Sequence, residues 1–291
     1  MVIKEVKEIL KMSKEQLLEF TKKILEENGY KDIISTNNYT YAKGEIPILL
    51  VAHCDTVHKV KPDIILFDKN EEMMWSPQGI GGDDRCGVIA IFDIIKNQKP
   101  HVLFTQDEEI GGLGAKAFCD EQELNGIKFA IEIDRRGFNQ AVFYDCANKE
   151  LQSYICDKYE FELGIGSFTD VCYIGERFDI GIVNLSAGYY NEHQLIEFIY
   201  FPALRNTIEK VRKILEENID KYFDYQEELR YCKNVYNTYF KNFDDYSEYY
   251  SKYTYQEEKD FDELTKKQWY DLYGYKKPKN KQELYRIIFD Y

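Results

Sequence analysis

The hydrophobic pattern of this chain switches repeatedly between two periods. Residues 46–54 read IPILLVAHC, apolar almost throughout, as expected of a strand covered on both faces. Residues 101–105 and 129–133 repeat that pattern in shorter runs. Between these runs the apolar positions fall at helical spacing. Val88, Ile91, Ile94 and Ile95 predict a helix over residues 84–96, and residues 115–121 predict another. Residues 3–28 predict an opening helix. Ser13, with Gln16 three positions on, has capping-box spacing ahead of Leu17, Leu18, Ile24 and Leu25, and Gly29 is a natural stop. Residues 33–42 read as a strand that reaches 46–54 through a Lys43-Gly44 turn. Residues 64–67 and 73–75, flanking Asp68-Lys69-Asn70, predict a hairpin. Strands over 142–144 and 180–185, a helix over 168–174 and a long amphipathic helix over 202–222 complete the series. Strands alternating with helices predict an α/β fold, a mixed central sheet with helices on both faces.

After residue 222 the pattern changes. Fifteen of the 25 tyrosines fall between Tyr222 and Tyr291, and aromatics at that density pack rather than stay solvated. The expected organisation is therefore one domain over residues 1–222 and a Tyr-rich helical C-terminal appendage over 223–291. Three roles are open to the appendage: covering a site, mediating an oligomer or buttressing the core.

Composition narrows the function classes. The net charge of -14 argues against nucleic acid, since phosphate binding depends on Lys and Arg neutralisation. No run approaches the ~20 apolar residues of a membrane span, and residues 1–16 lack the apolar core of a signal peptide. Seven cysteines without a C-x-x-C pair read as free thiols in a reducing compartment, so the cytoplasm is the expected location.

Five stretches carry candidate chemistry, and each follows a predicted strand or turn, where α/β sheets build their sites. His53-Cys54-Asp55 puts an imidazole and a carboxylate on one face of a strand, a pairing suited to a metal ligand and the carboxylate that orients it. A capped histidine at a strand end is the plainer alternative. Gly79-Ile80-Gly81-Gly82-Asp83-Asp84 brings two aspartates to a helix start. There they serve either as ligands or as simple helix caps; a phosphate cradle is a rival, but the G-x-x-x-x-G-K-[ST] pattern is missing. Asp107-Glu108-Glu109-Ile110-Gly111-Gly112 sets three carboxylates directly after an apolar strand. Neighbouring glutamates can divide the work, one ligating a cation and the other moving protons. Ile131-Glu132-Ile133-Asp134 is a strand ending in an aspartate, and Asn191-Glu192-His193 carries a second candidate histidine. His58 and His101 sit in plainer contexts and are expected to be bystanders.

Taken in order along residues 45–215, these stretches resemble the co-catalytic zinc exopeptidase superfamily, which includes peptidase T-like enzymes and related aminopeptidases and carboxypeptidases. The resemblance implies two divalent ions, with zinc favoured and manganese or cobalt also compatible with the donors. It implies that Asp83 bridges them, that His53 and Asp134 serve one and that Glu109 and His193 serve the other. Glu108 would be the general base and Asp55 the carboxylate beside His53. Ser167-Phe168-Thr169-Asp170 is similar, more loosely, to a G-[GS]-T-D stretch near the family's substrate pocket.

Many relatives carry an extra domain, either ahead of the last histidine or between the first histidine and the bridging aspartate. Here only 58 residues separate Asp134 from His193, and 29 separate His53 from Asp83, so the chain reads as a catalytic core without that lid. The implied activity is hydrolysis of peptides at their amino end. A deacylase acting on a non-peptide amide and a carboxypeptidase are the alternatives within this chemistry. A binding protein that kept the fold and lost catalysis is the alternative outside it.

Overall fold

The computed structural model describes residues 2–217 and 219–227, which lie in one compact unit reaching residue 228. Its elements in chain order begin with α1 (Ile3–Leu10), α2 (Lys14–Glu27), β1 (Ile33–Ser35), β2 (Tyr39–Ala42) and β3 (Ile46–His53). There follow β4 (Leu66–Asp68), β5 (Met73–Trp75), α3 (Gly82–Ile94), β6 (Pro100–Thr105), α4 (Leu113–Glu121) and β7 (Phe129–Arg135). Then come β8 (Gln140–Val142), α5 (Lys149–Tyr159), β9 (Glu162–Leu163), α6 (Asp170–Phe178) and β10 (Gly181–Ser186). The described part closes with β11 (Tyr189–Tyr190), β12 (Phe198–Tyr200) and α7 (Phe201–Glu216).

Eight strands form a mixed sheet in the order β1-β2-β6-β3-β7-β10-β8-β9, whose centre, β6-β3-β7-β10, is parallel. Two further neighbours make the sheet mixed: β2 runs antiparallel to β6, and β8 antiparallel to β10. β6 lies between β2 and β3, so the two strands joined through Lys43-Gly44 are not sheet neighbours. The predicted 64–75 hairpin forms as β4–β5 and belongs to a second, four-stranded antiparallel sheet, β11-β12-β5-β4.

The apolar run of β3 follows from burial on both sides. Ile48, Leu50 and Ala52 enter the larger core with α1, α2, α3 and α7, while Leu49 and Val51 enter a smaller core under α4 and α6. β7 divides in the same way, with Phe129, Ile131 and Ile133 in the larger core and Ala130 in the smaller. Because side chains alternate, Glu132 and Asp134 share Ala130's face, and His53 shares that of Leu49 and Val51. The polar ends of these strands thus converge on the α4/α6 side of the sheet, past its parallel strand ends.

Two predicted helices differ from the structure. The opening helix is two helices, because the capping box expected within it is itself a break: Ser13 takes extended dihedrals to cap α2 (φ -70°, ψ 165°). The closing helix ends at Glu216, six residues short of the expected end. Phe223 instead packs edge-on against Phe129, and its carbonyl accepts from the Gly181 amide at 2.6 Å, drawing residues 219–227 back onto the sheet. The appendage expected over 223–291 lies outside the described residues from 228 onward. No helix among the described residues is long and apolar enough to cross a membrane.

Leu50, fully buried in the middle of β3, tests whether this strand anchors the core. Leu50→Ala is expected to lower unfolding free energy by about 2–5 kcal/mol in urea titration, and a loss below about 1 kcal/mol would contradict the packing.

Candidate metal centre

All five stretches meet at the C-terminal ends of β3, β6 and β7. β3 stops at His53, whose Nδ1 lies 3.2 Å from Asp55 Oδ1 just beyond the strand. The same Asp55 carboxylate accepts the Glu108 and Glu109 backbone N–H groups, at 3.2 and 3.3 Å. One buried aspartate therefore fixes the imidazole and also the acidic loop after β6. Lys14, in the first turn of α2, closes that loop from outside through a 2.5 Å contact with Asp107.

With Nδ1 turned towards Asp55, His53 Nε2 faces the centre. It lies 3.3 Å from Asp83 Oδ1, 3.6 Å from Asp134 Oδ1 and 4.0 Å from Glu108 Oε2. The other oxygen of Asp83 faces a different imidazole: His193 Nε2 is 3.1 Å from Asp83 Oδ2 and 3.0 Å from Glu109 Oε2. Two trios result, His53–Asp83–Asp134 and Asp83–Glu109–His193, each with ligand atoms within 4.8 Å of one another. Asp83 is the shared member. His53 is fully buried, whereas the His193 side chain is 35% exposed, so the second trio lies on the solvent side.

The surroundings hold these ligands from behind. Asp84, joined to Asp83 by a cis peptide, accepts the Gly87 N–H at 2.8 Å and so ties the turn to α3. Thr169 Oγ1 donates to Asp134 Oδ2 at 3.1 Å, Tyr189 OH donates to the Asp134 carbonyl at 2.7 Å, and Asn184 Oδ1 accepts the Asp134 N–H at 2.8 Å. The looser Ser167–Asp170 resemblance thus reaches the centre through Thr169. Its neighbour Asp170 is buried and accepts from the Thr105 hydroxyl, while Phe168 lies half out in solvent against Tyr173.

Three residues around the centre carry little or no local sequence signal. Glu132 is fully buried and accepts the Val171 N–H at 3.2 Å. Glu197, also fully buried, accepts from the Gly81 and Asp83 backbones at 3.0 and 2.9 Å and lies 2.8 Å from His58 Nε2. His58 is therefore no bystander, whereas His101 is, bonding Tyr41 OH at 2.7 Å at the opposite end of β6 from the site. Parity along β7 marks Glu132 as sharing Asp134's face, but nothing local marks Glu197.

So many carboxylates in one buried space shift each other. Burial first, then Asp83, pushes Glu109 up to about 7 and Asp134 up to about 6. Burial pushes Asp170 to about 7 against the Thr105 hydrogen bond, and drives Glu108, Glu132 and Asp84 well above the carboxylate range. The imidazoles answer in the opposite sense. Burial lowers His53, but Asp134 and Asp55 outweigh it and carry its pKa well above the ordinary value. His193 is lowered by burial, yet its bonds to Asp83 and Glu109 raise it to about 11. Asp83, which burial alone would raise, is held below its ordinary value by His193 and His53.

This arrangement fits divalent cations. The donors are imidazole nitrogens and carboxylate oxygens, the negative charge exceeds what two imidazoles neutralise, and Glu109 Oε1 is buried without a hydrogen-bond partner.

No protein-family profile matches the chain, and no curated protein sequence does. Solved structures of like fold do. A tripeptidase from Staphylococcus aureus subsp. aureus mu50 superposes with TM-score 0.60 at 13% identity, covering 74% of this chain and 96% of its own. Aminopeptidase PepT from Bacillus cereus ATCC 10987 gives TM-score 0.58 at 14% identity, covering 74% and 97%. A TET aminopeptidase from a marine sediment Thaumarchaeota archaeon gives TM-score 0.59 at 11% identity, covering 74% and 96%. The chain shares its fold with this tripeptidase and these aminopeptidases, as the order of motifs implied.

The shifts fix a pH dependence for the cation-free protein. Carboxyls raised on folding, as Asp134, Glu109 and Asp170 are, lend stability that is complete near pH 4 and is lost as pH rises through 6 to 7. The raised His193 acts with the same sign, its contribution present below about 6.5 and lost as pH climbs towards 11. With chelator present, the urea midpoint is expected to fall steadily from pH 5 to pH 8; a flat or rising midpoint would contradict the charge balance.

Proposed function

We propose that this chain is a two-cation hydrolase that removes the amino-terminal residue from short peptides. The observation that carries the reading is Asp83, a single carboxylate whose two oxygens face two separate ligand trios. On this reading His53 and Asp134 hold one divalent ion, Glu109 and His193 hold the other, and Asp83 spans both. Zinc suits these donors, with manganese and cobalt next. Three ligand carboxylates then oppose the four positive charges of two divalent ions, which leaves the centre electrophilic.

When bound, such a pair supplies Lewis acidity and makes water nucleophilic at neutral pH. The chain's own residues orient the ligands and move the protons. Asp55, on His53 Nδ1, keeps Nε2 free for ligation. Glu108 stands beside the ligands without belonging to either trio, its backbone pinned by Asp55. It accepts the proton from the attacking water and delivers it to the departing amine. Burial raises the Glu108 carboxyl, which suits a group that must hold the proton between those two steps.

The substrate class rests on two supports. A carboxylate-rich centre in a chain of net charge -14 attracts a cationic amino terminus. The like-folded structures are a tripeptidase and aminopeptidases, which favours peptides over other amides.

Glu108→Gln is expected to retain both ions and lose about 10²–10⁴-fold in kcat on tripeptides and aminoacyl amides. Asp83→Ala is expected to lose metal altogether, by elemental analysis of the dialysed protein. Unchanged metal in Asp83→Ala would remove the bridging role, and turnover confined to N-acyl amides would replace the peptidase with a deacylase.

A further inference from the structure

The loop that follows His193 does more than present a ligand. Four residues on, Glu197 turns inward and is fully buried. Its Oε1 accepts the Asp83 N–H at 2.9 Å, and its Oε2 accepts the Gly81 N–H at 3.0 Å while lying 2.8 Å from His58 Nε2. A buried carboxylate is costly unless charged or polar donors surround it, and here three donors converge from two segments more than a hundred residues away.

The glycines of the Gly79–Asp83 turn are explained by the same contact. A Cβ on Gly79 would stand 2.3 Å from His58 Nδ1, and one on Gly82 would stand 2.9 Å from Tyr189 Cβ and 3.2 Å from Glu197 Oε1. The turn is bare on the sides where His58 and the 189–197 segment approach. This accounts for a glycine pattern that resembles a phosphate cradle in sequence.

The two ends of the outer trio, Asp83 and His193, thus belong to segments that Glu197 ties together. The other two members of the inner trio are held by other struts: Asp55 behind His53, and Thr169, Tyr189 and Asn184 around Asp134. His193 itself sits in a left-handed backbone conformation on a partly exposed loop, and its neighbour Glu192 pairs with Arg136.

We propose that Glu197, clamped by His58, is the positioning residue that sets the Asp83–His193 spacing, and so governs affinity chiefly for the outer cation; the inner site shares Asp83 but keeps His53 and Asp134 on struts of their own. The inference rests on the two-cation reading above. Glu197 touches neither substrate nor cation; it acts through the backbone that carries Asp83. Glu197→Gln puts an amide N–H against either His58 or a backbone N–H, and so breaks the clamp without changing its volume.

The test is zinc titration of the dialysed full chain against a chromophoric chelator, with bound zinc counted by elemental analysis. Wild type is expected to bind two ions, and Glu197→Gln to hold one as before and the other about 10- to 100-fold more weakly. In a His193→Ala background, which removes the outer site, Glu197→Gln is expected to change the remaining affinity by no more than about twofold. Where Glu197→Gln fails to fold by circular dichroism, His58→Ala, which removes one donor and leaves both backbone bonds, is expected to weaken the same ion to a smaller degree. Two unchanged zinc affinities in a folded variant would overturn the positioning role, as would equal weakening in the His193→Ala background. Wild type that binds no zinc would instead overturn the two-cation reading on which the role depends.

Discussion

Asp83 is a buried carboxylate pinned between two imidazoles, each of which is also held by a further carboxylate. Such a group is stable away from water only with positive charge on both sides. In the cation-free chain that charge comes from protons on His53 and His193, which the surrounding carboxylates retain far above an imidazole's ordinary range. Two divalent ions would supply it without protons, and would turn the neighbouring carboxyls from reluctant acids into ligands. The protonation states around Asp83 and the choice of cation are therefore aspects of one charge balance.

The sheet answers that balance with position. Parallel β3, β6 and β7 end together, and alternation along each strand sends His53, Thr105 and Asp134 to the side covered by α4 and α6. The apolar stretches behind them are buried on both faces, so the polar ends stand on a rigid base. The remaining candidate residues, Asp83, Glu109 and His193, come from turns and loops, where Asp107 and His193 both take left-handed dihedrals. Loop residues need struts to hold a fixed place, and buried polar side chains provide them: Asp55 for the acidic loop, Asp84 and Glu197 for the glycine-rich turn.

The sequence made the rigid part of this design readable. Continuous apolar runs located the central strands, and their polar ends located His53, Glu109 and Asp134 because strand periodicity and chain order suffice there. Asp55 was legible from its two-residue offset, although it lies just past the strand. Glu197 and His58 were not, since their meaning depends on contact across 139 residues and neither stands in a recognisable local pattern. Glu132 is an intermediate case: parity gives its face, but only the approach of α6 explains why an acid lies beneath the site. The shortened closing helix has the same origin, because Phe223 leaves helical geometry for a long-range contact with Phe129.

Whether Asp83 separates two cation sites is tested most directly by zinc-edge anomalous diffraction from crystals of the zinc-loaded full chain. Two peaks about 3.5–4 Å apart are expected, one on the His53 and Asp134 side of the Asp83 carboxylate and one on the Glu109 and His193 side. A single peak, or zinc bound away from Asp83, would contradict that separation.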